Sequence, residues 1–141
     1  MKNRPEVGVS TAVFRDGRVL LAQRAVGSLQ GLWSLPGGRV EFGEKLAEAA
    51  LRELEEEVQV TAEIVDFAGI VEVMPREGPQ FHFIVVAFAG RWISGEPQTG
   101  PEASAVVWAD PKTLDGLPVT DDLHRIVAEA AALVLPESMT A

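Results

Sequence analysis

From Gly38 to Val60 the chain reads GRVEFGEKLAEAALRELEEEVQV, and Glu41, Glu44, Glu48, Glu53, Glu55, Glu56 and Glu57 place seven of its 21 acidic residues in this short stretch. Good helix formers dominate the segment, so it predicts a helix from near Lys45 to about Val58. At about 100° per residue, Ala47, Leu51, Leu54 and Val58 share one sector, the expected core-facing stripe. Glu53, Glu56 and Glu57, spaced i, i+3 and i+4, share a different one. Three carboxylates on one patch repel unless something positive stands among them. Arg52 can orient one of them by charge-assisted hydrogen bonds and offset part of the repulsion, and a divalent cation would offset the rest. With no histidine or cysteine beside them the donors are all oxygen, which suits Mg²⁺ or Mn²⁺ rather than zinc or copper. Taken alone, a glutamate-rich helix more usually means a solvated polar face.

Working outward, Pro36-Gly37-Gly38 precedes the helix and predicts backbone free of side chains at the helix amino end, where N–H groups and the dipole favour anions. A carbonyl there would be a further oxygen donor. Further upstream, Val7 to Phe14 and Val19 to Arg24 flank Asp16-Gly17, a pair suited to positive φ angles, and predict a β-hairpin. Downstream, Ala62 to Met74 and Phe81 to Ala89 predict two antiparallel strands around a turn at Pro75 to Pro79, with Arg91 to Ile93 extending the second. Ala105 to Ala109 predicts another short strand, and Asp110-Pro111 a helical turn to Leu114. Thr120 is the expected cap of a last helix whose core face is Leu123, Ile126, Val127, Ala130 and Val134.

The whole chain is 141 residues with 47% hydrophobic and 23% charged residues, a composition that predicts one core and one domain over residues 1–141. The absence of cysteine excludes disulfides, thiolate metal sites and a cysteine nucleophile, and fits a reducing cytoplasm. No signal-peptide pattern and no apolar run of membrane-spanning length is present. A formal charge of −9 repels polyanions, which argues against a nucleic-acid polymer or an anionic membrane as partner. Small anions remain compatible if a cation intervenes.

The stretch from Gly38 to Val60 resembles the signature box of the Nudix hydrolases, matching it at Gly38, Glu44, Arg52, Glu53, Leu54, Glu56, Glu57 and Val60. The departure is Gln59, where the family has glycine just past the helix. A left-handed Gln59 would cost roughly 1 kcal/mol; otherwise the turn is built differently. The order of elements is also similar, so the resemblance implies an α/β/α sandwich around a mixed β-sheet. It further implies metal-assisted hydrolysis of the diphosphate linkage in a nucleoside diphosphate joined to a group X, releasing a nucleoside monophosphate. Carried over by position, Glu56 and Glu57 are the primary metal ligands, Glu53 is a further ligand or the base, and Arg52 orients them. Gly37 or Gly38 adds a backbone carbonyl. Glu44 either supports the metal shell or bonds N–H groups at the helix start.

Outside the box, the resemblance implies roles for four more residues. Glu102 is either a loop carboxylate that completes the metal shell and activates water, or a solvated acid. Arg24, ending the second strand, matches a basic residue that touches phosphate. Asp121 and Asp122 stand near the place where relatives that destroy oxidised purine nucleotides read the base, although the helix dipole alone also favours acids there. Pro75 resembles a proline of the ADP-ribose branch, so an oxidised nucleoside triphosphate and an ADP-ribose-like molecule are both open as substrates. A non-catalytic nucleotide sensor on the same fold is the alternative function. The resemblance leaves monomer and homodimer open.

Overall fold

The structure, a computed structural model, describes residues 4–27, 29–75 and 81–140. Strand β1 (Glu6–Arg15) and strand β2 (Arg18–Arg24) form the expected hairpin, with Phe14 opposite Val19. Asp16 and Gly17 both take positive φ, 51° and 79°, the twist that suits a two-residue hairpin turn. Two short strands follow, β3 (Trp33–Ser34) and β4 (Gly37–Arg39), in a segment whose sequence reads as loop. Helix α1 (Leu46–Val58) comes next, then the long antiparallel pair β5 (Thr61–Val73) and β6 (Phe83–Ser94), and then β7 (Ala103–Ala109). Apart from Pro75, the turn expected at Pro75 to Pro79 lies outside the described residues. The helical turn expected after Asp110 is a 3-10 turn at Leu114–Gly116, and α2 (Leu123–Val134) and the short α3 (Glu137–Thr140) end the chain.

The sheet is mixed because β1 pairs in parallel with β6 over nine residues, while its other edge is shared between β2 and β4. Strand β2 in turn carries β7 and β3. Alternation along β1 and β2 sorts the core onto two faces: Ala12, Phe14, Val19 and Leu21 pack beneath Ile126 and Val127 of α2, and Val13, Leu20 and Ala22 beneath Leu54 and Val58 of α1. The result is the α/β/α sandwich implied by the resemblance.

Two details differ from the sequence reading. The buried face of α1 is Ala49, Ala50, Leu54 and Val58, while Ala47 and Leu51 are only partly covered. The helix is rotated relative to its apolar stripe, so that Glu53 and Glu57 fall inside the arc turned toward the sheet. In α2 the residue before the helix is Asp122, left-handed at φ 68°, with no side-chain cap, so Thr120 is not the cap. Its N–H instead bonds the Trp33 carbonyl at 3.1 Å, which ties it to the first sheet edge. Of the expected core face of α2, Leu123, Ile126, Val127 and Ala130 are buried and Val134 is only partly so, while Ala131 joins the face. Among the described residues no helix is long and apolar enough to cross a membrane.

Candidate active site

Helix α1 lies across β1 and β4, and the close approach of β4 to β1 dictates its two glycines. A Cβ on Gly37 would strike the Val9 carbonyl and Ser10, and one on Gly38 would fall into the Glu53 carboxylate. The glycines therefore stand beside the carboxyl-terminal half of α1, not at its amino end as the sequence order suggests. The Gly37 N–H does meet an anion, but that anion is the Glu57 carboxylate, at 3.1 Å. At the amino end of α1 the Glu48 carboxylate accepts the Lys45 N–H at 3.1 Å, a role the sequence left open for Glu44.

Arg52 is the hub of the outer side. It reaches Glu44 through two nitrogens, at 2.7 and 3.0 Å, and its Nη1 donates to Glu53 at 2.9 Å and Glu56 at 3.0 Å. It also donates to the Arg39 carbonyl at 3.0 Å, which ties α1 to the end of β4. The guanidinium beside Glu44, helped by the Glu41 N–H, holds that carboxyl down at about 2. The same carboxylates raise the Arg52 guanidinium further above its ordinary value. Arg52 thus stays a fixed cation that aims Glu53.

The inner side is less fully neutralised, with Arg52 reaching only Glu53 among its acids. Glu53, Glu57 and Glu102 bring carboxylate oxygens within 4.8 Å of one another. Burial pushes the Glu57 carboxyl up to about 7, against the Gly37 N–H and the attraction of Arg24, while the neighbouring Glu102 and Glu53 charges add to the rise. Burial also raises Glu53, and Arg52 opposes this. These three acids are drawn together at a cost in repulsion and desolvation, and they supply the all-oxygen donor set of a hard divalent cation. Glu56 is not part of this group: its side chain is 60% exposed and held on Arg52, whereas that of Glu53 is 14% exposed.

The cluster opens into a cavity of about 1040 Å³ whose wall includes Arg24, Gly37, Gly38, Glu53, Glu57, Glu102 and Asp121. Arg52, Glu44, Glu56 and Asp122 do not line it, and Asp122 instead faces Arg125 at 3.6 Å. Away from the three acids the wall is mainly apolar, with Val71, Val73 and Phe83 from the β5 and β6 ends, Phe81 just before β6, and Leu123 and Ile126 from α2, though Glu72 and Thr120 also line it. This apolar half was not identified from the sequence. Its residues come from three distant segments, and the alternation of β5 and β6 was the only available signal. The cavity thus joins an acidic pole, with Arg24 and Arg39 in its wall, to a mainly apolar half.

Comparison with known proteins decides the family. The NUDIX domain model matches residues 4–130. The chain belongs to the Nudix hydrolases. This Nudix chain is 32% identical over 126 residues to the ADP-ribose pyrophosphatase of Methanocaldococcus jannaschii, covering 89% of itself and 72% of that protein. It is 30% identical over 135 residues to the RNA pyrophosphohydrolase of Erythrobacter litoralis, with 82% of each covered. Among solved structures it resembles a MutT NUDIX hydrolase from Burkholderia pseudomallei with a TM-score of 0.79 and 30% identity, over 90% of this chain and 98% of that one. Nudix hydrolases generally work with divalent metal, and the acidic pole described above has the donors for one.

Proposed function

We propose that this Nudix hydrolase uses Mg²⁺ or Mn²⁺ to split the diphosphate linkage of a small nucleoside diphosphate derivative in the cytoplasm, releasing a nucleoside monophosphate, and that residues 1–141 form a single catalytic domain. The observation that carries this reading is the convergence of Glu53, Glu57 and Glu102 at the wall of a cavity of about 1040 Å³, roomy enough for a nucleotide. Glu53, Glu57 and Glu102 would hold the cation, with the Gly38 carbonyl at the edge of the set. Glu56, which the family resemblance makes a primary ligand beside Glu57, is held on Arg52 near Glu53 and outside the cavity wall, so here it is given the outer place and Glu53 the inner one. When bound, the cation supplies positive charge against the phosphate oxygens, which the protein's own excess of acid would otherwise repel.

The remaining work falls to the chain's own side chains. Arg24 faces the same pole and offers planar, bidentate donors to a phosphate. Arg52 keeps Glu53 fixed and favours its ionised form against the effect of burial. Glu53 and Glu102 are the candidate bases, since each lies at the cavity surface and can accept a proton from an attacking water. The apolar wall takes the nucleoside, and Asp121 at its rim offers a carboxylate to the donor edge of a base. Glu44 stands outside the cavity and serves through Arg52, and Asp122 serves the start of α2.

The relative named for ADP-ribose and the charge of −9 favour a small nucleotide, and ADP-ribose is our leading substrate. The relative named for RNA makes 5′-triphosphorylated RNA the substrate to set against it. The test is purified protein with Mg²⁺ against ADP-ribose, nucleoside triphosphates, oxidised purine triphosphates, dinucleoside polyphosphates and that RNA, with products read by phosphorus NMR. Metal-dependent release of a monophosphate from a small substrate is expected. Tight, persistent binding of ADP-ribose without turnover would mark a sensor and overturn the enzymatic reading.

A further inference from the structure

Glu102 reaches the acidic pole from a loop, and apart from one backbone bond its place against α1 depends on the residues before it. The segment from Gly95 to Gly100 supplies them. It runs along the carboxyl-terminal turn of α1, where the Gln98 N–H donates to the Val58 carbonyl at 2.9 Å and Gly95 packs against the Gln59 carbonyl so closely that a Cβ would not fit. The Gly100 N–H closes onto the Ala103 carbonyl at 2.9 Å, and the Glu102 carbonyl accepts the Ala25 N–H at 3.0 Å. The near end of the loop is fastened by side chains. Arg15, the last residue of β1, bonds both carboxylate oxygens of Glu96 at 3.0 and 3.1 Å. Its guanidinium carbon lies 3.7 Å above the centre of the Trp92 ring, and the Trp92 Nε1–H donates to the Gly95 carbonyl at 2.8 Å.

We infer that Arg15 and Glu96, clasped over Trp92, are positioning residues for Glu102. An exposed ion pair contributes little to global stability, and the Glu96 side chain is 68% exposed. A loop, however, opens at much lower cost than the whole protein unfolds. A contact too weak to matter for the fold is therefore strong enough to decide how often this loop is closed. Stacking on Trp92 removes water from one side of the guanidinium and strengthens the clasp. The loop is fixed at Arg15 of β1, then at Val58 of α1, then at Ala25 just past the end of β2, where Arg24 lines the cavity. Losing the first anchor loosens the segment that leads into Glu102, so its carboxylate is held less firmly against Glu53 and Glu57 while the nearer backbone anchors, the sheet and α1 stay as they are.

The inference rests on Glu102 being a ligand, and a double-variant cycle separates the two ideas. Mn²⁺ affinity of the nucleotide-free protein is titrated by electron paramagnetic resonance, alongside metal-free melting, for the original sequence, Arg15→Met, Glu96→Gln, Glu102→Gln and the two double variants. Arg15→Met is expected to weaken Mn²⁺ binding about 10-fold, the scale of losing a residue that orients a metal ligand, with the metal-free melting point nearly unchanged. Arg15→Lys, which keeps the cation, should recover part of the loss. On the Glu102→Gln background neither variant should weaken binding further. If Glu102→Gln binds Mn²⁺ as tightly as the original sequence, Glu102 is no ligand and the positioning role falls with it. If Glu102→Gln weakens binding but Arg15→Met and Glu96→Gln do not, or weaken it equally on both backgrounds, Glu102 stands as a ligand and the positioning role is overturned.

Discussion

At the scale of single residues, Glu57 carries the largest conflict in the molecule. Its carboxylate is drawn into a half-buried position beside two other acids, where the Gly37 N–H and Arg24 only partly compensate. Glu57→Gln should abolish Mn²⁺ binding and reduce turnover at least about 100-fold while raising metal-free stability above pH 7 by about 1 to 3 kcal/mol, because a poorly solvated charge is removed. Urea unfolding in the presence of chelator measures the second effect, and a destabilised variant would show that the charge is already well compensated. Arg52 is the opposite case, a cation satisfied by four carboxylate contacts. In Arg52→Gln the Glu44 carboxyl should rise toward its ordinary value, visible in side-chain NMR titration, and turnover should fall as Glu53 loses its orientation. An unmoved Glu44 would locate its stabilisation elsewhere.

At the scale of elements, the helix α1 is held by Leu54, which is fully buried beneath the β1–β2 face. Leu54→Ala should cost about 2 to 5 kcal/mol in urea unfolding, and an unchanged midpoint would contradict the packing. The helix ends at Gln59 in the left-handed conformation, φ 60° and ψ 38°, with its N–H on the Glu55 carbonyl. Gln59→Gly should therefore raise stability by up to about 1 kcal/mol with turnover unchanged. A loss of stability would mean that the Gln59 side chain, rather than its backbone strain, governs the turn. These local features were legible in the sequence: the hairpin at Asp16-Gly17, the bounds of α1, the long β5–β6 pair and the inner face of α2 all follow from neighbouring residues. The rotation of α1 was not, because an apolar stripe locates the inner face only when polar residues avoid it. Here Gly37 and Gly38 clear a space that accepts Glu53 and Glu57 on the sheet side. Strands of two and three residues, as β3 and β4 are, show no periodicity. The separation of Glu56 from the other acids was hidden as well, since the same i+4 spacing that places it one turn beyond Arg52 also fits a shared ligand patch. Glu102 joins Glu57 from 45 positions away through the β5–β6 fold, and a loop acid carries no local mark of such a meeting.

At the scale of the whole molecule, the acidic pole couples stability to pH and to metal. Because the Glu57 carboxyl lies at about 7 in the folded chain and near 4.5 when unfolded, the folded state binds more protons in that interval. Metal-free stability should therefore fall as pH rises from about 4.5 to about 7, by up to about 3 kcal/mol, and level off above it. Glu44 acts in the other sense at lower pH: its support is present above about 4.5 and is lost as pH falls toward about 2. Mn²⁺ binds the ionised acids, so the melting-point gain it brings should grow from pH 5 to pH 7.5 and then flatten. A gain independent of pH would place the ion away from Glu57. In the proposed function a cation relieves the crowding of these acids, and the cavity beyond them takes the nucleoside. The most direct test is a crystal of the protein grown with Mn²⁺ and a non-hydrolysable nucleoside diphosphate analogue, read by anomalous scattering at the manganese edge. Peaks bounded by Glu53, Glu57 and Glu102 and in contact with phosphate oxygens are predicted. Manganese found elsewhere, with those three carboxylates apart and hydrated, would contradict the account.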